Sequence, residues 1–277
     1  MNTINKKQDK RREKKFLIRH HLPVNISQHL DIGKSGYARL PDGQGLCEGD
    51  GCNEFWAKRV CGPASLAMIV IYCVSKKDPN VVKAIKKLLK DSKIISSVND
   101  ANWISNETNK LNELLDEHDS VKWYSILYHL ERAWPTKNVD EDKMKKLSEF
   151  LVDFIISDGV KNKAYVENIG WLHQGLIDAA VKHFGLRGNR FDFAKEETET
   201  AFERMIEELK NGPVIASIYK NLNPQNGGHL VVIFGIDGDI VLFADPDINN
   251  PNLIERKATT EEFKKGWKKR FIVIKPK

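Results

Sequence analysis

The chain has little of several things that would decide its class at once. It lacks an apolar run near the roughly 20 residues a bilayer span requires, so no transmembrane segment is expected. Its basic opening, MNTINKKQDKRREKKFLIRHH, is not followed by the apolar stretch of about 7 to 15 residues that a secretory signal carries, and a cytoplasmic location is expected. There is no GxxxxGK[ST] loop to cradle ATP phosphates, so ATP-driven transport by this polypeptide is not expected. Cysteine is scarce. Cys47, Cys52, Cys61 and Cys73 are the four in 277 residues, too few for a disulfide scaffold in a cytosolic chain of this size. Cys47 and Cys52, in CEGDGC, have a spacing a metal could use, but no second pair follows; a plain Gly-rich loop is expected, with no metal and no cofactor.

Excess charge is missing too, once the net +6 is located. Residues 1–21 hold eight Lys or Arg against two acids, while the rest of the chain balances at 36 against 36. The tail is read as a solvated, disordered lead-in. Its alternative role is a patch for nucleic acid or an acidic membrane surface, although Phe16 is its lone aromatic able to stack on a base.

What is present is a 41% hydrophobic composition and two successive grammars. LPVNISQ reads as a short strand ending at Gln28, followed by a long loop rich in Gly and Asp. From Cys61 the spacing turns helical, and apolar residues occupy nearly every face, which predicts a helix in the middle of a domain, with Cys73 in the core. A block of helices follows from Asp78 to about Glu167. DPNVVKAIKKLLKD has an Asp cap and an early Pro; Leu111, Leu114 and Leu115 mark a second helix, KWYSILYHLERAW a third, and EDKMKKLSEFLVDFIISDG a fourth. WLHQGLIDAAVKHFG, stopped by Gly185, and TETAFERMIEELKNG complete the series. PVIASIY, HLVVIFGI and DIVLFAD are β-rich, with a hairpin at Asp237-Gly238; TTEEFKKGW is a Thr-capped helix, and RFIVIKP a closing strand. Helices then antiparallel strands predict an α+β fold: a tail, residues 1–21, and a single domain, residues 22–277, with a helical block inside it.

The hairpin yields geometry. A turn centred at Asp237 sets His229 opposite Asp245 on one face, Cβ atoms about 5 Å apart, where the carboxylate can fix the tautomer and favour the imidazolium. Cys61 opens a helix, where unpaired N–H groups and the positive end of the dipole favour a thiolate. Gly62 removes bulk beside the sulfur, and Pro63 suits a first helical turn. Singly, each residue has an ordinary structural reading; together they are the parts of a nucleophile, a base and an orienting group. Trp123, Tyr124, Tyr128 and Trp134 are spaced as a core stripe, with a place in a cleft wall as the alternative, and Trp171 and His173 are further cleft candidates.

CGPASLAM, GPVIAS, GGHLVVIFGID and FADPD, in that order, resemble the peptidase domain of the bacteriocin leader-processing (double-glycine) cysteine peptidases and their soluble relatives, within the papain-like group. SQHLDI, FWAKRVCGPASLAM, WLHQGLIDAAVKHFGL and TTEEFKKGWKKRFIVIK are similar to those relatives as well, so the resemblance runs from about Leu22 to Lys277, with the block from Asp78 to about Glu167 family-variable. It implies a papain-like fold, a helix carrying Cys packed on an antiparallel sheet carrying His and Asp. It further implies Cys61 as nucleophile, His229 as general base and acid, Asp245 as the residue holding the imidazole, and a peptide or protein as substrate. An upstream glutamine would donate into the oxyanion hole beside the Cys61 N–H. Gln28 matches by its strand context, although it lies farther before Cys61 than the family pattern has it; Gln44, in the loop, is the rival and Asn53 a weaker one. Hydrolysis of an amide through a thioester is the expected reaction. The alternatives are transfer of the same acyl group to an amine and a peptide-binding domain without turnover.

Overall fold

A computed structural model describes residues 17–27, 55–91, 141–248 and 253–277. Along them run β1 (Leu17–Arg19), α1 (Cys61–Ser75), α2 (Pro79–Asp91), α3 (Glu141–Lys161), β2 (Tyr165–Val166), β3 (Gly170–Trp171) and α4 (His173–Phe184). The second half holds β4 (Arg187–Asp192), α5 (Thr198–Leu209), β5 (Val214–Tyr219), β6 (Gly228–Asp237), β7 (Ile240–Ala244), β8 (Glu255–Thr259), α6 (Thr260–Gly266) and β9 (Trp267–Lys275). The fold is α+β, as expected. An antiparallel sheet in the order β4-β9-β5-β6-β7-β8 takes β1 as a seventh strand against β6.

Strand alternation builds two cores. Ile215, Leu230, Val232, Ala244 and Ile272 point to the face covered by α1 to α4, while Val214, Ala216, Val231, Ile233 and Phe243 point to the face covered by α5 and α6. A strand buried on both sides reads as a continuous apolar run, which is why LVVIF in β6 shows no alternation. Every residue of α1 from Gly62 to Val74 is buried, because it lies between the sheet and α3, α2 and α4. Each fully buried aliphatic side chain on it contributes about 1.5–3 kcal/mol of transfer free energy. Gly185 closes α4 in the left-handed conformation, and Thr259 caps α6 in a reciprocal capping box with Glu262.

Several expectations need correction. Leu22 to Ser27 do not form the expected strand: these residues are irregular, held by burial of Leu22 and Ile26 and by the Ser27 hydroxyl donating to Ile248 O at 2.8 Å. The strand lies earlier, inside the segment read as tail, where Leu17–Arg19 pairs with the end of β6 beyond the reach of β5. The β6–β7 register also differs. Asp237 pairs with Ile240, so the turn falls on Gly238-Asp239, and an irregularity between Ile233 and Gly235 shifts the rest by one residue. Gln28, Gln44, Cys47, Cys52, Asn53, the expected helices around Leu111 to Trp134 and residues 1–16 lie outside the described residues. Among the described residues, no helix is long and apolar enough to cross a membrane, and no cluster of His, Cys, Asp and Glu is arranged to hold a metal ion.

Candidate active site

Three elements converge where α1 begins: the helix itself, the start of β6, and the chain just past β7. The bulge in β6 makes that convergence possible. Before it, Gly235 opposes Leu242; after it, Ile233 opposes Phe243 and Val232 opposes Ala244, with Phe234 the extra residue. Without the extra residue, continuing the pairing would set Asp245 against Val232, whose side chain faces α1. With it, Asp245 continues opposite Val231, two residues from His229 and on the same side by alternation. The pair is therefore a diagonal neighbour rather than the directly opposed one expected from the sequence, and the hydrogen bond forms all the same. His229 Nε2 lies 2.7 Å from Asp245 Oδ1.

Asp245 is 2% exposed and every contact it makes favours its charge. Its Oδ1 also accepts the Asp247 N–H at 3.0 Å, a turn the Asp-Pro-Asp sequence is built to make, and its Oδ2 accepts Arg256 Nη1 at 3.0 Å. Burial alone would raise its pKa; the His229 hydrogen bond and charge, with the Asp247 N–H and Arg256, outweigh burial and lower it. With Nε2 committed to this carboxylate, Nδ1 is the ring atom left for the sulfur.

The Cys61 thiol sits at the first residue of α1, near enough to His229 that each group shifts the pKa of the other. Burial pushes its pKa up, but the nearness and charge of His229, with the N–H groups of Leu230 and Gly62, hold it below the ordinary thiol value. The imidazole moves the opposite way. Burial would lower its pKa, and Asp245 together with the sulfur raises it well above the usual histidine range. A thiolate–imidazolium pair is the arrangement in which both shifts are satisfied.

The sulfur opens onto a cleft of about 650 Å³. Trp171 forms one wall: its indole donates to Arg59 O at 2.6 Å and its ring lies so close over Gly62 that a Cβ there would meet it at 2.8 Å. This is the physical reason for glycine after the cysteine. His173 also lines the cleft, and its Nε2 lies 2.6 Å from the Ser217 hydroxyl. Burial, then the charges of Arg190 and Arg270, push its pKa down to about 4, so this second imidazole is neutral where His229 is charged. Trp171 and His173 thus line the cleft, as the sequence suggested. Arg256, Arg190, Lys268 and Arg270 were not foreseen, since an arginine or lysine on a polar strand carries no signal of what it faces.

Residues 182–271 match the model of the Peptidase_C39 like family. The segment contains His229 and Asp245 but not Cys61, and it bears out the resemblance read from the sequence. Among solved structures, the chain is similar to the peptidase domain of Streptococcus ComA, a bi-functional ABC transporter involved in a quorum sensing pathway, at 17% identity over 46% of this chain and 78% of that one, TM-score 0.33. It is also similar to the peptidase domain of Streptococcus mutans ComA, at 19% identity over 41% and 81%, TM-score 0.30. A third is a double glycine motif protease from an AMS/PCAT transporter in complex with the leader peptide, at 20% identity over 56% and 84%, TM-score 0.30. No curated protein matches the chain.

Proposed function

We propose that this chain is a cysteine peptidase in which Cys61, His229 and Asp245 hydrolyse a peptide bond through a thioester. The observation that carries the reading is the hydrogen bond of the His229 imidazole to a buried carboxylate, beside a thiol whose pKa that imidazole lowers, at a helix start that lines a cleft. The Cys61 thiolate attacks the scissile carbonyl carbon, and the carbonyl oxygen takes the negative charge. A helix leaves its first N–H groups without intrahelical acceptors, so the Cys61 N–H is available to that oxygen. Gln28 is assigned the second donor because the segment leading into it, although not the strand the resemblance called for, is tied to the chain that follows Asp245. The residue before it, Ser27, is anchored to the carbonyls of Pro246 and Ile248, beside Asp245. One donor of this kind contributes about 3 kcal/mol to lowering the barrier.

His229 gives its Nδ1 proton to the leaving amine as the C–N bond breaks, leaving a thioester and a neutral imidazole. The imidazole then takes a proton from water, whose oxygen attacks the thioester; the acid product departs and the thiolate–imidazolium pair is restored. Asp245 stays ionised throughout and holds the ring. The test compares newly formed peptide termini after incubating a proteome-derived peptide mixture with the wild-type protein or with Cys61→Ala. Cleavage confined to the wild type is expected. Equal cleavage by both proteins would refute the reading.

A further inference from the structure

We propose that the cleft selects peptides bearing a carboxylate close to the scissile bond, and that Lys268 is the residue that receives it. This rests on the peptidase reading above and names a substrate class for that site.

The proposal starts from a break in the sheet. β5 and β9 pair regularly through Ser217 with Arg270, but Ile218 then pairs with Trp267, so Lys268 and Lys269 are extra residues on β9. The irregularity is strained: Lys269 has φ 55°, a left-handed conformation unusual for a residue with a side chain. Bulges of this kind re-aim a side chain at a sheet margin. Here the re-aimed side chain is Lys268, which lies over the Tyr219 ring at 4.8 Å and ends beside Gly228, the residue before His229. A Cβ on Gly228 would stand 3.0 Å from the Lys268 ammonium, so the missing side chain is what leaves that position to the lysine.

Charge in the cleft is lopsided. Lys58, Arg59, Arg190, Lys268 and Arg270 line it, against Glu167 as the carboxylate among its lining residues. Arg190 and Arg270 are both paired with Asp192, at 2.8 and 3.1 Å. Among the described residues Lys268 has no carboxylate partner, only the face of Tyr219. His173 and Ser217, also lining the cleft, add a neutral hydrogen-bonding pair. Lys268 ends beside Gly228, the residue before His229, and an extended peptide advances about 3.3 Å per residue, so the carboxylate falls within about three residues of the bond cut.

A side-chain carboxylate and a free C-terminal carboxylate offer the same chemistry, and matched peptides separate them. One pair differs by Glu or Gln within three residues of the cleaved bond, with both ends blocked; a second pair has no acidic side chain and ends in a free acid or an amide. The expected result is kcat/KM about tenfold higher for the Glu peptide or for the free acid, shrinking in 0.5 M salt as exposed charges are screened. Lys268→Gln should level the ratio, and Lys268→Glu should turn it in favour of Lys in place of Glu. Retained alkylation of Cys61 by iodoacetamide reports that each variant is folded with its site intact. Cleavage with equal rates in both pairs, or an acid preference that Lys268→Glu leaves unchanged, overturns the selection and leaves the peptidase reading standing. A folded wild-type protein that cuts none of the peptides and does not alkylate at Cys61 overturns both.

Discussion

The two ends of α1 carry the same functional group in opposite states. Cys61 begins the helix and Cys73 lies three turns further on, both largely enclosed by protein. At Cys73 burial acts almost alone, with a small push from the charge of Asp78, and the thiol is driven up to about 12. At Cys61 burial pushes in the same direction but loses to His229 and to two backbone N–H groups. The helix supplies the first end with unpaired donors and the second with a closed apolar wall. What separates a reactive thiol from an inert one here is the set of partners the sheet brings to it, and burial is common to both.

The contrast is broken most severely by deleting each sulfur in turn. Cys61→Ala should lower kcat/KM by about 10⁴-fold or more, the usual cost of removing a nucleophile. Cys73→Ala should leave turnover within a few-fold and instead lower the unfolding free energy by about 1–2 kcal/mol, read from urea melts, through the cavity it opens. Similar activity losses for the two variants would mean that the ends of the helix do not differ as described.

A smaller effect sharpens the part played by the carboxylate. Asp245→Asn should cost about 10²- to 10⁴-fold in kcat, because the ring loses both its tautomer control and the charge that favours its protonated form. The pH profile gives the sign. In the wild type kcat/KM rises as the thiol ionises, below the ordinary range near 8.5, and falls as His229 deprotonates, above the ordinary value near 6.5. Removing the carboxylate lowers the pKa of His229, and a less charged ring no longer depresses that of Cys61. The bell should narrow from both sides; a profile of unchanged width would exclude this coupling. Smaller again, Gly62→Ala should cost about 1–3 kcal/mol of stability, because its Cβ would press on Trp171 at 2.8 Å. Thermal melts in which this variant matches the wild type would show that the wall yields. Arg256→Gln should lower kcat less than tenfold, since the Asp247 N–H and His229 still hold Asp245.

Much of this arrangement was legible in the sequence, for identifiable reasons. The helix at Cys61 shows its burial through apolar residues on every face, and CGP marks its start. The paired runs of β6 and β7 announce a hairpin. The contact between His229 and Asp245 was anticipated from the wrong register, because two departures offset each other: the turn is centred between Gly238 and Asp239 instead of at Asp237, which alone would put the two side chains on opposite faces, and the extra residue at Phe234 restores the face. Nothing in LVVIFGI distinguishes a regular strand from one with a bulge. β4, RGNRFD, is mostly exposed and lacks alternation, so its place at the sheet edge comes from pairing with β9 and not from any pattern of its own. β1 hides among basic residues for the same reason. Lys268 was illegible because its position depends on a pairing irregularity two strands away from the histidine it approaches.

The most direct measurement is the pH dependence of the iodoacetamide rate at Cys61, followed by peptide mass mapping, in the native wild-type protein and in His229→Ala, with Cys73 as the internal reference. The expected result is an inflection well below 8.5 at Cys61 that moves up when His229 is removed, while Cys73 stays unlabelled across the range. An inflection at or above 8.5 that His229→Ala does not move would contradict it, since the sulfur would then owe nothing to the imidazole.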